Sequence, residues 1–220
     1  MAKRPSAKTL TNPFPGLRSY SPHESGNFYG RDEQVTELAR KIKRNRLITV
    51  LGASGSGKSS LIRAGLLPKL NASLVGDHSL RSHWETTEMT PGGAPLARLA
   101  QALFAVHQNL EHRKHPEADP DVLAKASSEY TLMAEALLSR SSFGLVELVK
   151  QLNSEHPVLI LVDQFEELFR ITSNNSKRNY ALAFIKLLLE AVKQTEVPVY
   201  IVITMRSDFL GDCTKYEGLP

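Results

Sequence analysis

Gly52-Ala53-Ser54-Gly55-Ser56-Gly57-Lys58-Ser59, followed by Ser60, has the residue types and spacing of a phosphate-binding loop. Glycines let the backbone turn tightly so that successive N–H groups face one anion, and a helix starting at Lys58 adds the positive end of its dipole. Lys58 can then reach the β- and γ-phosphates of a nucleotide, while the Ser59 hydroxyl can ligate Mg²⁺. The competing reading is a flexible Gly/Ser turn. It leaves unexplained why an apolar run precedes the loop and a helical pattern follows it.

A second constellation is VLILVDQFEE at residues 158–167. An apolar strand there delivers Asp163 to its C-terminal end, where a carboxylate can hold Mg²⁺ directly or through water. Glu166 or Glu167 could orient and polarise an attacking water as general base, and spacing does not choose between them. A solvated first helical turn would also favour acids, through the helix dipole. Arg206 ends a third apolar run; beside a triphosphate it would pair with the γ-phosphate, although position alone equally allows a surface arginine. Phe28-Tyr29-Gly30-Arg31 is weaker: Gly30 would let the backbone approach a flat base, with apolar neighbours covering it.

Other chemistry-bearing residues read as bland. His112 and His115 lack Cys or acidic partners at ligand spacing, which argues against a metal site. Trp84 reads as core or interface, the basic run at 40–46 as the solvated side of a helix, and Cys213 has nothing to mark it as a nucleophile.

Positioning these residues requires strands that end together. Residues 47–51, 158–162 and 199–204 read as buried strands, and 83–90 as a further strand. Helices are expected over 32–44, 58–67 with Pro68 as its stop, 96–110, 130–152 with a break near 141–144, and 177–194. Prolines and glycines make 12–30 irregular, and 111–120 reads as a loop. Apolar strands alternating with helices imply a parallel sheet covered on both faces, with ligands at the C-terminal strand edge.

The 220 residues, 41% hydrophobic and 23% charged, exclude disordered, collagen-like and coiled-coil classes. One cysteine rules out a disulfide-built secreted scaffold and points to a reducing, cytoplasmic setting. The basic N-terminus is not followed by an apolar segment, so it is not a signal peptide, and no run of about 18 apolar residues exists to cross a membrane. The net charge of +4 is concentrated in Lys3, Arg4, Lys8 and the 40–46 run, without the interleaved aromatics of a single-strand-binding surface.

Taken in order, NPFPGLRSYSPHESGNFYGRDEQ, LITVLGASGSGKSSLIRAGLLPKL, LILVDQFEELF and VITMRSDFLG resemble the bacterial STAND-class P-loop NTPases, in the novel STAND branch often joined to β-propeller repeats. The resemblance spans about residues 12 to 215. Small, polar and basic residues make 1–11 a flexible basic tail, and the resemblance implies one nucleotide-binding domain over 12–220. That domain would be a three-layer α/β sheet of the additional-strand, AAA-like class, with the Arg206 strand inserted between those ending at Gly52 and Asp163. It also implies Gly52, Ser54 to Ser60 as Walker A, Asp163 as the Walker B Mg²⁺ residue, Glu166 or Glu167 as the hydrolytic acid, Arg206 as sensor and Gly30-Arg31 as a nucleotide-side box. Where relatives commonly carry Arg-Pro-Gly after the second strand, this sequence has Met89-Thr90-Pro91-Gly92, which leaves no arginine for a role there.

By the same resemblance the protein binds ATP and ADP with Mg²⁺ and acts as a signalling or defence switch that self-associates when activated. The resemblance further implies a truncation before the helical and winged-helix lid, with the sensor repeats and effector lying outside the sequence; ATP hydrolysis is expected of the full-length protein and nucleotide binding of this portion. Two alternatives stand beside this reading: a small-metabolite or nucleotide kinase, and an ATP-gated DNA-associated module suggested by the 40–46 run.

Overall fold

Val158–Val162 (β3) and Val199–Arg206 (β4) are runs of leucine and β-branched residues that form the interior of a sheet, whereas Leu47–Gly52 (β1), expected to be buried, lies at one edge with only Ile48 fully covered, because β4 pairs on one side of it alone. Glu85–Met89 (β2) forms the opposite edge. The computed structural model describes residues 15–16, 18–72, 83–117, 120–170, 175–216 and 218–219; the 1–11 tail lies outside them.

The strand order is β1-β4-β3-β2, and every pairing is parallel. β4 therefore sits between the strands ending at Gly52 and at Val162, as the resemblance implies. Its register matters most for function. Gly52 lies opposite Arg206, and Val162 opposite Ile203, so the residue after Val162 meets Thr204.

Alternation along the strands splits the core. Ile160, Val162, Ile201 and Ile203 face one side, where they pack with Pro95–Lys114 (α4), Gly144–Leu152 (α6) and Asn175–Lys193 (α8). Leu159, Leu161 and Val202 face the other, against Asp32–Ile42 (α1) and the helix that follows the glycine-rich loop. Burying one such side chain contributes about 1.5–3 kcal/mol, so a sheet covered twice holds its strand ends rigidly.

That second helix departs from expectation. It comprises Lys58–Ser60 (α2), a π stretch over Leu61–Leu66 and Leu67–Ala72 (α3), and so continues past Pro68. Pro68 is the second residue of α3, directly after the π stretch has interrupted the regular ladder, where its missing N–H costs little. The 111–120 loop is also shorter than expected, because α4 runs to Lys114. Pro120–Arg140 (α5) begins ten residues before the expected onset at 130, with a proline at its first position, and ends near the expected break. Within 12–30 a 3₁₀ turn forms over Pro22–Asn27, its start tied down by the Glu24 carboxylate accepting from the Ser21 N–H at 2.9 Å. Glu167–Arg170 (α7) and Leu210–Cys213 (α9), with a 3₁₀ turn at Ser207–Phe209 before α9, follow the ends of β3 and β4.

Two bland readings resolve differently. Trp84 packs edge-on against Tyr200 at 4.8 Å, as a half-buried structural side chain. Of the basic run, Arg40, Lys41, Lys43 and Arg44 are solvated, but Arg46 donates to the Val197 carbonyl at 3.0 Å and lies over the Tyr200 ring. No helix among the described residues is long and apolar enough to cross a membrane.

Candidate functional site

Because the strands are parallel, β1, β3 and β4 deliver their C-terminal residues to one edge, and a cleft of about 950 Å³ opens there. The glycine-rich loop forms one wall. Gly55 and Gly57 adopt φ of 73° and 83°, the left-handed region that a β-carbon disfavours, and Gly57 is the residue from which α2 starts. The Lys58 ammonium is folded onto the loop, donating to the Gly52 and Ala53 carbonyls at 2.9 Å each. Ser54 through Ser60 line the cleft, whereas Gly52 lies at the strand end and contributes its carbonyl.

The opposite wall is built on β3 and β4. Asp163 is 3% exposed. Its Oδ1 accepts from the Ser59 hydroxyl at 2.8 Å and from the Thr204 hydroxyl, and its Oδ2 faces the Arg63 guanidinium at 3.2 Å. Gln164 then takes a positive φ of 55° while its N–H donates to the Thr204 hydroxyl at 3.1 Å. That bend sends Phe165 into the core and Glu166 into the cleft wall. The Glu166 carboxylate is 7% exposed and accepts from the Arg206 N–H at 3.3 Å.

Arg206 lines the same cleft. One guanidinium nitrogen pairs with Asp208, the group lies 5.7 Å from the Phe209 ring centroid, and its Nε is buried without a hydrogen-bond partner. The pairing holds the Asp208 carboxyl below its ordinary range, through the hydrogen bond from Arg206 first and its charge second.

A triphosphate and a hard divalent cation fit this donor set. Backbone N–H groups, Lys58 and the orphaned Arg206 Nε are suited to anionic oxygen, and a hydroxyl and a carboxylate already in contact are the oxygen ligands that Mg²⁺ prefers.

The family model of novel STAND NTPase 1 matches residues 13–220. The chain belongs to the novel STAND NTPase 1 family. Its four-stranded, all-parallel sheet with helices on both faces is thus the fold of a STAND-type NTPase domain. No curated protein matches the sequence. Among solved structures, the Walker-type ATPase PABY2304 of Pyrococcus abyssi is similar at 17% identity and a TM-score of 0.47, over 90% of this chain and 51% of that one. The pCW3 conjugation coupling protein TcpA, solved as a monomer with ATPγS, is similar at 15% identity and a TM-score of 0.34, over 74% and 43%. The chain spans about half the length of these structures.

For this STAND-type domain the fold separates residues that the sequence left level. Glu166 lines the main cleft, whereas Glu167 lines a neighbouring cleft of about 610 Å³ between β2 and α4. Gly30 and Arg31 are exposed and do not line either cleft. Pro15, Gly16 and residues 18–20 border the main cleft instead, with the Tyr20 N–H donating to the Ser60 hydroxyl at 3.1 Å. Sequence reasoning passed over Thr204 and Arg63. Each had a signal: one polar residue near the end of an apolar strand, and one charge inside the apolar run after Ser60.

Proposed function

We propose that this protein is the ATP/ADP-binding core of a signal-transduction or defence switch, in which Mg-ATP binding and slow hydrolysis gate self-association and activation of an effector. The observation that carries this reading is the convergence of Lys58, Ser59, Asp163, Glu166 and Arg206 on one cleft at the C-terminal edge of the sheet. The family membership supports the switch role, which lies beyond the geometry.

In this reading the N–H groups of Gly55 to Ser59 and the Lys58 ammonium hold the phosphates, and Ser59 with Asp163 would hold Mg²⁺. The cation would draw charge off the β- and γ-phosphate oxygens when bound. Glu166, within the cleft wall, takes the proton of the attacking water. Arg206 reads the γ-phosphate: its unpartnered Nε and its exchangeable pairing with Asp208 leave donors to give to a triphosphate that a diphosphate does not claim. A switch needs such a difference in affinity between nucleotide states.

The test is calorimetric titration of nucleotide-stripped protein with ADP, ATP and GTP in Mg²⁺, beside Lys58→Ala and Arg206→Ala. The expected outcome is adenine-selective binding that Lys58→Ala abolishes, and a preference for ATP that Arg206→Ala erases. Equal binding by wild type and Lys58→Ala would overturn the reading. Stoichiometric phosphate transfer to a nucleoside monophosphate or sugar would replace it with a kinase.

A further inference from the structure

Arg63 stands where three separate parts of the chain meet the metal-binding wall. Its side chain is 24% exposed. Nη2 faces Asp163 Oδ2 at 3.2 Å, Nε donates to Glu88 Oε2 at 2.7 Å, and Nη1 donates to the Ser19 hydroxyl. A planar guanidinium spreads five donors over three nitrogens in a fixed fork, so each of the three acceptors meets its own nitrogen.

The charges explain why it is there. Asp163 is nearly fully buried, and a buried carboxylate without a counter-charge is costly. The Lys58 ammonium instead donates to the Gly52 and Ala53 carbonyls. Among the described residues, Arg63 is the cation ion-paired with Asp163. The same guanidinium also has a second acidic seat. Glu88 lies on the adjacent strand, half exposed, already within hydrogen-bond reach.

A guanidinium against Asp163 opposes a divalent cation on the same carboxylate, since like charges a few ångströms apart in a partly buried site repel strongly. We propose that Arg63 is a positioning residue that neutralises Asp163 in the metal-free site and yields it by moving its charge onto Glu88, so that the Asp163–Arg63–Glu88 relay sets how much Mg²⁺ the nucleotide site requires. Through Ser19, the relay also ties metal occupancy to residues 18–20, which border the cleft. This inference rests on the reading of Asp163 as the Mg²⁺ carboxylate.

Opposite signs for the two ends of the relay make the test. ADP affinity of the 220-residue chain is measured by calorimetry at stepped free Mg²⁺, and in EDTA, for wild type, Arg63→Gln and Glu88→Gln. Losing the competing charge lowers the Mg²⁺ needed for half-maximal tightening by about tenfold in Arg63→Gln, equivalent to roughly 1.4 kcal/mol. Losing the second seat pins Arg63 on Asp163 and raises that requirement several-fold in Glu88→Gln. ADP affinity in EDTA serves as each variant's own reference, and the Mg²⁺ response is read relative to it. Shifts in the same direction, or none, overturn the relay and leave Arg63 a structural brace. Should Arg63→Gln fail to fold, Glu88→Gln decides alone, because an unchanged or lowered Mg²⁺ requirement there is also fatal. If ADP binding by wild type ignores Mg²⁺ altogether, the metal reading of Asp163 falls, and this inference with it.

Discussion

The Ser59 hydroxyl donates to Asp163 Oδ1 at 2.8 Å, joining the first turn after the glycine-rich loop to the end of a strand 104 residues later. The two oxygen ligands proposed for Mg²⁺ are thus in contact, and the Thr204 hydroxyl donates to the same Oδ1. A site arranged in advance spends little binding energy on ordering its ligands. Ser59→Ala is therefore expected to leave ADP affinity in EDTA within about threefold of wild type while removing most of its tightening by Mg²⁺; one bond to a charged group is worth about 1.5–3 kcal/mol. Calorimetry with and without Mg²⁺ reads this directly, and a Mg²⁺ response equal to that of wild type would remove Ser59 from the ligand set.

Glu166 and Glu167 are adjacent in sequence but open into different clefts. Glu166→Gln keeps the shape of the carboxylate and loses its basicity, so ATP hydrolysis should fall by about two orders of magnitude or more, with nucleotide affinity nearly unchanged. Glu167→Gln should stay within a few-fold of wild type. Phosphate-release assays on both variants check the assignment, and the reverse ranking would transfer the role to Glu167.

Acid should loosen the segment that borders the cleft. The Arg18 guanidinium first, then the Ser21 N–H and hydroxyl, hold the Glu24 carboxyl down at about 2 against an ordinary value of 4.5. The folded value lies below the unfolded one, so this stabilisation is complete above the ordinary value and is lost as pH falls from 4.5 toward about 2. Because the pair is exposed to solvent, the stability at stake is small. An NMR titration of the Glu24 carboxyl should give a midpoint near 2 in wild type, moving toward 4.5 in Arg18→Gln. A wild-type midpoint already at the ordinary value would show that the pair does not hold in solution.

Gly144 starts α6 where that helix crosses the end of α5. A β-carbon there would lie 2.3 Å from the Leu137 carbonyl oxygen and 2.8 Å from the Leu138 Cα, both backbone and unable to step aside. Gly144→Ala must push α6 off the core that Leu145, Leu148 and Leu152 help to fill, at a cost of about 1–3 kcal/mol. The denaturant midpoint should fall accordingly, with nucleotide binding in the folded protein retained.

Much of this architecture is legible in the residues themselves. Loop glycines at fixed spacing before Lys58 and Ser59, and strand runs with no polar residue before Asp163, are local patterns; a phosphate loop and a buried strand depend on backbone freedom and burial that a few neighbours decide. Helix limits are less local. Pro68 reads as a stop until the π stretch before it has already broken the ladder, and α5 begins at Pro120 because a proline is as suited to open a helix as to end one.

The tertiary structure alone decided which distant side chains share a wall. Parallel register brings the Thr204 hydroxyl against Asp163, and the left-handed bend at Gln164 divides Glu166 from Glu167, an outcome that adjacent identical residues cannot encode by spacing. Arg63 meets Asp163, Glu88 and Ser19 because a helix, two strands and the N-terminal segment pack at one point. Sequence pattern carries local backbone and burial preferences; which charges neutralise one another is set by separations of a few ångströms that only the folded chain defines.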